Sequence, residues 1–263
     1  MSDRSVLVTG ATRRAGIAAA VARRLGRDGW NVATTGWRPF DATEPWGSVA
    51  HEAEEIVEEL QTLGVRAAFR ECDLGDPAEP ARLVAWAEGA VGPLDALVAA
   101  HAHSRVGGLS ETSVDEWDRH LDVNARGTLL LCAEFARRWR GEPGSGRIVT
   151  FTSAAPLPGE VAYAASKGAI EWLTITAAAE LAGRGITVNA VDPGPTDTGW
   201  LDEDLSEVVR AESPLGRLGR PQDAAKLVAF LLSPEGGWLT GQVLHSDGGF
   251  GSIRTLRHGR TPA

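Results

Sequence analysis

Short stretches rich in β-branched residues alternate with longer helix-like segments along almost the whole chain of 263 residues. Seven stretches have the composition of strands: Ser5–Thr9, Asn31–Thr35, Arg66–Glu71, Ala96–Ala100, Arg147–Thr152, Thr187–Val191 and Gln242–Ser246. The helix-like segments between them lie at about 16–28, 50–63, 78–90, 113–140, 160–183 and 222–232. This alternation predicts an α/β fold with a doubly wound, mainly parallel seven-stranded sheet and helices on both faces.

Two stretches carry signals for the beginning of a helix. Asp76-Pro77 has the form of a helix cap followed by a proline at the first helical position. Ser113 and Glu116 have the spacing of a capping box, in which the two side chains satisfy N–H groups of the first helical turn. These signals agree with helix beginnings near residues 78 and 113.

The chain shows no internal repeat, no low-complexity tract and no linker-like segment. Because 263 residues with 43% apolar content are enough to bury a full core, we predict a single domain over residues 1–263. The final segment, 254–263, is polar, and we expect it to be loose.

The charge balance argues against several classes of function. A net charge of −9 makes a nucleic-acid or membrane-surface partner unexpected, and no apolar run approaches the roughly 20 residues that span a bilayer. The first residues lead directly into a strand-like stretch, so we expect no signal peptide. Two cysteines are too few for a disulfide framework. We therefore expect a cytoplasmic protein whose partner is a small molecule.

A glycine-bearing loop follows the first predicted strand. The strand ends at Thr9-Gly10, and a helix begins near Gly16. Glycine lets the backbone approach a pyrophosphate closely, and the first N–H groups of a helix are free to bind an anion. Such a loop is weak evidence alone, but a strand before it and a helix after it favour a Rossmann-type dinucleotide site.

The only tyrosine of the chain, Tyr163, precedes Lys167 by four residues within a helix-like segment. Residues i and i+4 of a helix lie on one face, so the two side chains point the same way. Taken alone, such a pair is more simply explained as an exposed contact between an aromatic ring and a lysine.

Together these features resemble the short-chain dehydrogenase/reductase family, in its single-domain branch, over essentially the whole chain. The resemblance rests on motifs in the family's order: Thr9-Gly10 with Gly16, Asp73, Asn124, Ser153, Tyr163 with Lys167, residues 189–198 and the closing segment 219–250. It implies an NAD(P)H-dependent oxidoreductase that reduces a carbonyl, in a 3-oxoacyl group or another ketone, reversibly to a secondary alcohol.

The resemblance implies four catalytic residues. Tyr163 protonates the carbonyl oxygen as the hydride arrives, and the Lys167 ammonium lowers the pKa of that phenol and bonds the nicotinamide ribose. Ser153 holds the substrate oxygen, and Asn124 supports a water that leads protons to Lys167. The oxidised nicotinamide, which is positive, also favours the phenolate.

The family pattern further implies the residues that bind the cofactor: Gly10, Thr12, Arg13, Arg14, Gly16, Ile17, Arg38, Asp73, Leu74, Ala100, Tyr163, Lys167, Pro193, Gly194, Thr196 and Thr198. Thr35 and Gly36 stand where an acidic residue would bond the ribose of NAD. Arg13, Arg14 and Arg38 suit a 2′-phosphate, so we predict NADP and consider NAD less favoured. The alternative is that one or two of these arginines simply face solvent.

Two loops depart from the family pattern in length. Five residues separate Gly10 from Gly16 where three are usual, and Ala18 stands where a third glycine is expected. The interval between Ser153 and Tyr163 is also a few residues short. Thr150 and Thr152 are therefore alternative hydroxyls for the substrate oxygen.

A third departure follows the fourth predicted strand. Ala99, Ala100, His101 and Ala102 replace the Asn-Asn-Ala-Gly run of the family, so other groups must supply the hydrogen bonds of the missing asparagines. His101 and His103 have a spacing that suits metal ligands on one strand face. Because no carboxylate or cysteine lies near them in the sequence, we expect no metal site.

Two further segments bear on the substrate and on assembly. Residues 196–219, with Trp200, lie where family members carry a substrate lid, and the insertion at 37–52 is long for a strand-to-helix connection. The insertion is expected to cover the adenine side, to serve a partner subunit or to be a mobile loop. Family members pair through the helix that carries the tyrosine, so we expect a homodimer or homotetramer.

Two other functions compete with carbonyl reduction. A cofactor-binding sensor or regulatory protein without turnover is favoured by the altered run at 99–102 and the shortened serine loop. A sugar-nucleotide epimerase or dehydratase also uses a tyrosine–lysine pair, but it needs a further substrate domain for which this sequence shows no segment.

Overall fold

The computed structural model describes residues 4–153 and 159–251. Its seven strands form one sheet, in which every pair is parallel and the order is β3-β2-β1-β4-β5-β6-β7. The strands are β1 (Ser5–Thr9), β2 (Asn31–Gly36), β3 (Ala67–Glu71), β4 (Ala96–Ala99), β5 (Gly146–Phe151), β6 (Ile186–Asp192) and β7 (Val243–His245). The predicted strands are confirmed, with differences of one residue at several ends.

The α-helices connect successive strands and pack on both faces of the sheet. Their bounds are α1 (Ile17–Arg27), α2 (Arg38–Asp41), α3 (Glu52–Thr62), α4 (Glu79–Val91), α5 (Val114–His120), α6 (Thr128–Arg138), α7 (Val161–Leu181), α8 (Glu203–Glu212) and α9 (Pro221–Leu232). The predicted doubly wound, Rossmann-type arrangement is therefore confirmed.

Alternation along the strands divides the core between the two faces. In β1, Val6 and Val8 pack into one buried cluster with side chains of α1, α3 and α9, whereas Leu7 packs into another with side chains of α4, α6 and α7. Strands buried on both faces need apolar side chains at nearly every position, which is why β1 and β4 have no polar/apolar alternation in their sequences.

The strand order reverses between β1 and β4, which are neighbours in the sheet although β2 and β3 lie between them in the sequence. Thr9 at the end of β1 pairs with Ala99 at the end of β4. At such a switch point the two following loops turn to opposite faces, and a crevice opens at the carboxyl ends of the strands. This crevice contains the candidate site described below.

The long helix predicted at 113–140 is interrupted. Ser113 caps α5 by accepting a hydrogen bond from the Glu116 N–H at 3.1 Å, as the sequence predicted. A π-helix at Leu121–Gly127 then separates α5 from α6. A π-helix inserts one extra residue in a turn and changes the direction of the side chains that follow, and it is frequent at functional sites.

The helix predicted at 78–90 is found at Glu79–Val91, but the predicted cap at Asp76-Pro77 is wrong. The Asp76 carboxylate accepts the Ala78 N–H at 2.8 Å in a tight turn, and α4 begins only at Glu79. Asp76 therefore closes a turn ahead of the helix instead of capping it. The short α2 and the later α8 were not predicted as helices.

Within the described ranges, the structure contains no helix with the length and apolar content needed to cross a membrane. The tail at 254–263 lies outside the described residues. A single domain over the whole chain stays a prediction.

Candidate active site

A cavity of about 580 Å³ opens at the carboxyl ends of the central strands. Most of the predicted cofactor residues line it, namely Gly10, Thr12, Arg13, Gly16, Ile17, Asp73, Leu74, Ala100, Tyr163, Lys167, Pro193, Gly194, Thr196 and Thr198. Ser153 lines the same cavity. The fold thus brings together residues that are separated by almost 190 positions in the sequence.

The loop after β1 has the features of a phosphate cradle. Gly10 has φ +88°, and a Cβ atom there would lie 2.9 Å from the carbonyl oxygen of Ala100, so only glycine fits. Gly16 caps α1 without any side-chain hydrogen bond to the helix, and the first turn of α1 has no acidic residue. The first N–H groups of α1 consequently face the cavity without a competing carboxylate, as binding of a dinucleotide pyrophosphate requires.

Tyr163 and Lys167 lie one turn apart in α7, and the Lys167 Nζ atom is 5.5 Å from the centroid of the tyrosine ring. Nζ donates a hydrogen bond of 3.0 Å to the carbonyl oxygen of Phe151, at the end of β5. Burial lowers the pKa of Lys167 to about 8, although the carboxylate of Asp192 acts in the opposite direction. Burial thus disfavours the ammonium form of Lys167, and the Asp192 carboxylate favours it.

The structure does not agree with the expectation that Lys167 lowers the pKa of Tyr163. Burial raises the pKa of this phenol well above its ordinary value, and the carboxylates of Glu160 and Asp192 raise it further. In this structure the phenol therefore keeps its proton at neutral pH, which is the form that a general acid needs.

The hydroxyl groups near the end of β5 have separate surroundings. Thr150 Oγ1 lies 2.9 Å from Thr174 Oγ1, and Thr152 donates to the carbonyl oxygen of Lys167 at 3.1 Å or to Glu171 at 2.9 Å. Both threonines are thus engaged with α7. Thr152 and Ser153 both line the cavity, but the Thr152 hydroxyl is engaged with α7, which favours Ser153 for the substrate oxygen. The shortened loop that follows falls mostly on residues 154–158, outside the described residues.

Asn124 does not line the cavity. Its side chain is fully buried in the π-helix, where it accepts the His103 N–H at 2.7 Å and donates to the His103 carbonyl at 2.8 Å. It also donates to the hydroxyl of Ser166, the neighbour of Lys167, at 2.9 Å. Its side chain therefore connects the loop after β4 to α7 by hydrogen bonds.

Arg14 and Arg38 are placed differently from the prediction. Arg14 forms ion pairs with Glu55 and Glu59 of α3, and its side chain does not line the cavity. Arg38 donates to Glu54 at 2.6 Å and to Glu71 at 2.8 Å and lies over the ring of Phe69. Carboxylates hold both guanidinium groups outside the cavity in this structure. Their role as phosphate ligands stays a prediction that these contacts do not support.

Arg13 is the predicted arginine that does line the cavity. Its guanidinium carbon lies 4.6 Å from the ring centroid of Trp46, and Nη2 donates to the carbonyl oxygen of Thr198. Burial lowers its pKa, while the carboxylates of Asp41 and Glu52 act against that change. Arg13 thus spans the distance from the insertion to the segment that follows β6.

The insertion at 37–52 covers the crevice on the side of β2. Asp41 is buried and accepts hydrogen bonds from Thr12 at 2.5 Å and from Trp46 Nε1 at 3.0 Å. Phe40 contacts the ring of His103, with 5.2 Å between the centroids. Of the three roles considered for this segment, the described contacts support a cover over the cavity.

Comparison with known proteins agrees with this arrangement. A family model described as Enoyl-(Acyl carrier protein) reductase matches residues 10–251. The chain belongs to the short-chain dehydrogenase/reductase family. It is an oxidoreductase family, and the resemblance inferred from the motifs is confirmed.

Individual members of the short-chain dehydrogenase/reductase family match along nearly their whole length. An oxidoreductase of Bacillus subtilis named YjdA is 39% identical, over 94% of this chain and 97% of that protein. The 3-oxoacyl-[acyl-carrier-protein] reductase FabG of Staphylococcus aureus is 34% identical over the same shares. A short-chain dehydrogenase of Burkholderia cenocepacia, solved in complex with NADP, is 36% identical over 94% of this chain and 97% of that one, with a TM-score of 0.83.

The structure shows what replaces the asparagine run in this short-chain dehydrogenase/reductase. The ring of His101 is buried, with Nδ1 2.7 Å from the hydroxyl of Thr9 and Nε2 3.0 Å from the carbonyl oxygen of Val123. A carbonyl only accepts, so Nε2 carries the proton and Nδ1 accepts from Thr9. Burial, with a further contribution from the Lys167 charge, lowers the pKa of His101 to about 3. A neutral imidazole thus joins β1, β4 and the π-helix.

His101 and His103 do not share a site. His103 Nε2 lies 3.1 Å from a carboxylate oxygen of Glu116, and His120 completes a group whose possible ligand atoms lie within 4.8 Å of one another. Both nitrogens of His120 are used, because Nδ1 donates to the Glu116 carbonyl and Nε2 accepts the Arg105 N–H. This cluster is accounted for as a hydrogen-bond network beside the cavity.

Sequence reasoning missed several residues of the site. Asp41 and Trp46 belong to the insertion that follows β2. The tryptophans of this insertion are the sequence signal that could have predicted an aromatic wall of the cavity. Arg119 binds both carboxylate oxygens of Asp73, at 2.9 and 3.1 Å, and Asp192 lines the cavity beside Lys167. These contacts join segments that lie far apart in the sequence. No local spacing of residues therefore predicts them.

The His101 bridge predicts a specific pH dependence of stability. The folded chain does not protonate His101 until about pH 3, whereas an unfolded chain does so below its ordinary pKa of 6.5. The contribution of this group is therefore complete above pH 6.5 and falls as the pH decreases, by about 1.4 kcal/mol per pH unit. His101→Asn should remove that slope.

Denaturant unfolding of both proteins between pH 4 and 7 measures this difference. His51→Asn is a matched control, because His51 is exposed and has φ +73°, a conformation that asparagine tolerates. Equal slopes in the wild type and His101→Asn would show that the buried imidazole is not neutral.

Proposed function

We propose that this protein is an NADPH-dependent carbonyl reductase, which works in reverse as an alcohol dehydrogenase. The observation that carries the proposal is the placement of Tyr163, Lys167 and Ser153 in one cavity with the phosphate cradle at Gly10 and Gly16. A proton donor, a buried cation and the Ser153 hydroxyl thus meet beside a site suited to a dinucleotide. This set of groups fits the reduction of a carbonyl.

A nicotinamide cofactor bound in this cavity would supply the hydride. Tyr163 donates its phenolic proton to the carbonyl oxygen, and burial helps this step because it keeps the phenol protonated until the oxygen becomes basic. Ser153 donates a hydrogen bond to the same oxygen and orients the carbonyl. The Lys167 ammonium, fixed by the Phe151 carbonyl, stabilises the negative charge that remains on the tyrosine oxygen.

Asn124 acts as a positioning residue in this proposal. Its side chain is saturated by His103 and Ser166, so it holds α7 against the loop after β4.

NADP is the proposed cofactor. Arg13 is a cation inside the cavity, where a charge-assisted contact with a 2′-phosphate is possible. The Burkholderia cenocepacia relative was solved with NADP, which supports the same choice. Asp41 lies nearby, and its two oxygens accept hydrogen bonds from Thr12 and Trp46 instead of from a ribose hydroxyl, as an acidic residue selecting NAD would. NAD is therefore the less favoured cofactor.

The proposed substrate is a ketone with an apolar body, a 3-oxoacyl group being one example. The cavity wall near the insertion and near α8 is formed largely by large apolar side chains: Trp37, Phe40, Trp46, Trp200, Val209 and Phe250. Trp200 donates to the Thr196 carbonyl at 3.0 Å, which fixes its ring at the edge of the cavity. Such walls bind apolar groups and discriminate weakly between them.

A symmetric oligomer completes the proposal. Trp172 and Ile175 on α7 are exposed to 71% and 43%, and Leu129 on α6 is exposed nearby in the same layer. Trp238, beside β7, is 97% exposed. Large apolar side chains of this kind at two places suit a dimer through α7 and a tetramer that also uses the region of β7.

The first test of this proposal is catalytic. Tyr163→Phe keeps the ring but removes the proton donor, so NADPH-dependent reduction of a responsive ketone should fall at least about 100-fold. NADPH binding, followed by cofactor fluorescence in the same variant, should change little. Trp172→Phe on the exposed side of α7 is the control, and activity within a few-fold of wild type in Tyr163→Phe would reject the mechanism.

The second test concerns the cofactor and needs no substrate. Arg13→Ala should weaken NADPH binding about 10- to 100-fold, the value of one charge-assisted contact, and should affect NADH much less. Arg38→Ala is the matched control, because Arg38 is held by carboxylates outside the cavity, and it should leave both affinities unchanged. Equal losses for the two cofactors in Arg13→Ala, or tighter NADH binding by the wild type, would contradict NADP.

The third test is the oligomeric state. Light scattering at micromolar concentration should give the mass of a dimer or a tetramer. Trp172→Glu should dissociate the contact through α7, whereas Trp238→Glu should at most reduce a tetramer to a dimer. A wild-type monomer at this concentration would reject the proposal.

A further inference from the structure

Asp192, at the end of β6, is a buried carboxylate with two defined partners. Its Oδ1 atom accepts the Gly194 N–H at 3.0 Å, and its Oδ2 atom lies 3.0 Å from Nδ1 of His245 at the end of β7. Only 2% of Asp192 is exposed. A buried carboxylate is costly unless hydrogen bonds and a positive charge compensate it, so its surroundings need an explanation.

The pair of Asp192 and His245 separates two cavities. Asp192 lines the cavity that contains Tyr163 and Lys167. His245 lines a second cavity of about 430 Å³, and 41% of its side chain is exposed. The hydrogen bond between the two residues therefore crosses the wall between the catalytic cavity and a solvent-accessible one.

The Lys167 Nζ atom and Asp192 lie at the ends of neighbouring strands. Lys167 Nζ donates to the Phe151 carbonyl at the end of β5, and Phe151 pairs with Val191, the residue before Asp192 in β6.

The titratable groups that surround Lys167 and Tyr163 come from four elements: Asp192 from β6, His101 after β4, His120 from α5 and Glu160 before α7. His101 is neutral, as its hydrogen bonds require. Glu160 acts on the pKa of Tyr163, whereas Asp192 acts on the pKa values of both Tyr163 and Lys167. Among the described groups, Asp192 is thus the carboxylate that favours the charged form of this lysine.

We propose that Asp192, held in place by His245, is the counter-ion of Lys167 and positions the charge on which proton transfer at Tyr163 depends. The inference rests on the proposed reductase function. His245 at one oxygen and the Gly194 N–H at the other fix the orientation of the Asp192 carboxylate in the cavity wall. The ammonium of Lys167 then remains charged in a site that otherwise strongly disfavours charge.

The lysine content of the chain permits a direct measurement. Lys167 and Lys226 are the two lysines of the sequence, and the side chain of Lys226 is 69% exposed. Labelling lysine at Cε with ¹³C gives one buried and one exposed signal, whose chemical shifts report protonation between pH 6 and 11. In the wild type the Lys167 signal should titrate near pH 8, and Lys226 serves as the internal reference.

Asp192→Asn is the decisive variant. It keeps an oxygen for the Gly194 N–H but removes the charge, so the titration midpoint of Lys167 should move down by about one pH unit or more. Asp247→Asn is the matched control, because Asp247 also lies beside His245 but lines the second cavity. It should leave the Lys167 midpoint unchanged. An unchanged midpoint in Asp192→Asn overturns the inference.

Variants of His245 test the second half of the inference and remain informative if Asp192→Asn fails to fold. His245→Leu removes the donor and should produce a smaller downward shift, while His245→Asn retains a donor and should restore the wild-type midpoint. If His245→Leu leaves the midpoint unchanged, His245 does not hold Asp192.

A kinetic measurement links this charge to the reaction. The fall of kcat/KM for ketone reduction at high pH should begin at lower pH in Asp192→Asn than in the wild type, by the same amount as the NMR midpoint. The NMR titration uses neither cofactor nor substrate. If the Lys167 midpoint does not move in Asp192→Asn, the role of Asp192 as counter-ion is rejected. If the wild type binds no NADPH, the reductase function is rejected, even when Lys167 titrates as expected.

Discussion

A continuous set of buried hydrogen bonds fixes the catalytic helix to the sheet, and the geometry of the site depends on it. The Thr9 hydroxyl donates to His101, which donates to the Val123 carbonyl in the π-helix. The next residue of that π-helix, Asn124, bonds Ser166 in α7. Because these residues are buried, removal of any one side chain of the network leaves a buried polar atom without its partner. The network therefore sets the distance between the cofactor loop and the helix that carries Tyr163.

Much of this could be predicted from the sequence, because the features concerned are local or periodic. Apolar strands buried on both faces, the glycine loop before α1 and the Tyr163–Lys167 spacing all have signatures within a few residues. The sheet, its helices on both faces and the cavity at the switch point follow from such signatures. The family motifs then placed Ser153 and the cofactor loop at the same cavity.

The parts that could not be predicted depend on contacts between distant segments. Arg38 has the sequence position of a phosphate ligand, but Glu54 and Glu71 approach it only in the folded chain. From its spacing to His103, His101 could be a metal ligand. In the folded chain, however, its two ring nitrogens bond Thr9 and the Val123 carbonyl. The pKa of Tyr163 also depends on how deeply the phenol is buried. The spacing between Tyr163 and Lys167 in the sequence does not predict that burial. In each case the chemistry of a side chain is decided by partners that lie far away in the sequence.

The carbon atom that receives the hydride from NADPH shows whether this protein reduces carbonyl groups. NADPH carrying deuterium at the transferred position can be supplied with a panel of ketones and of conjugated enones, and the products analysed by mass spectrometry and NMR. Carbonyl reduction places one deuterium on the carbon that bears the new hydroxyl group, and Tyr163→Phe should lose this product. Deuterium at the β-carbon of an enone with the carbonyl intact, or bound NADPH without transfer to any acceptor, would contradict carbonyl reduction.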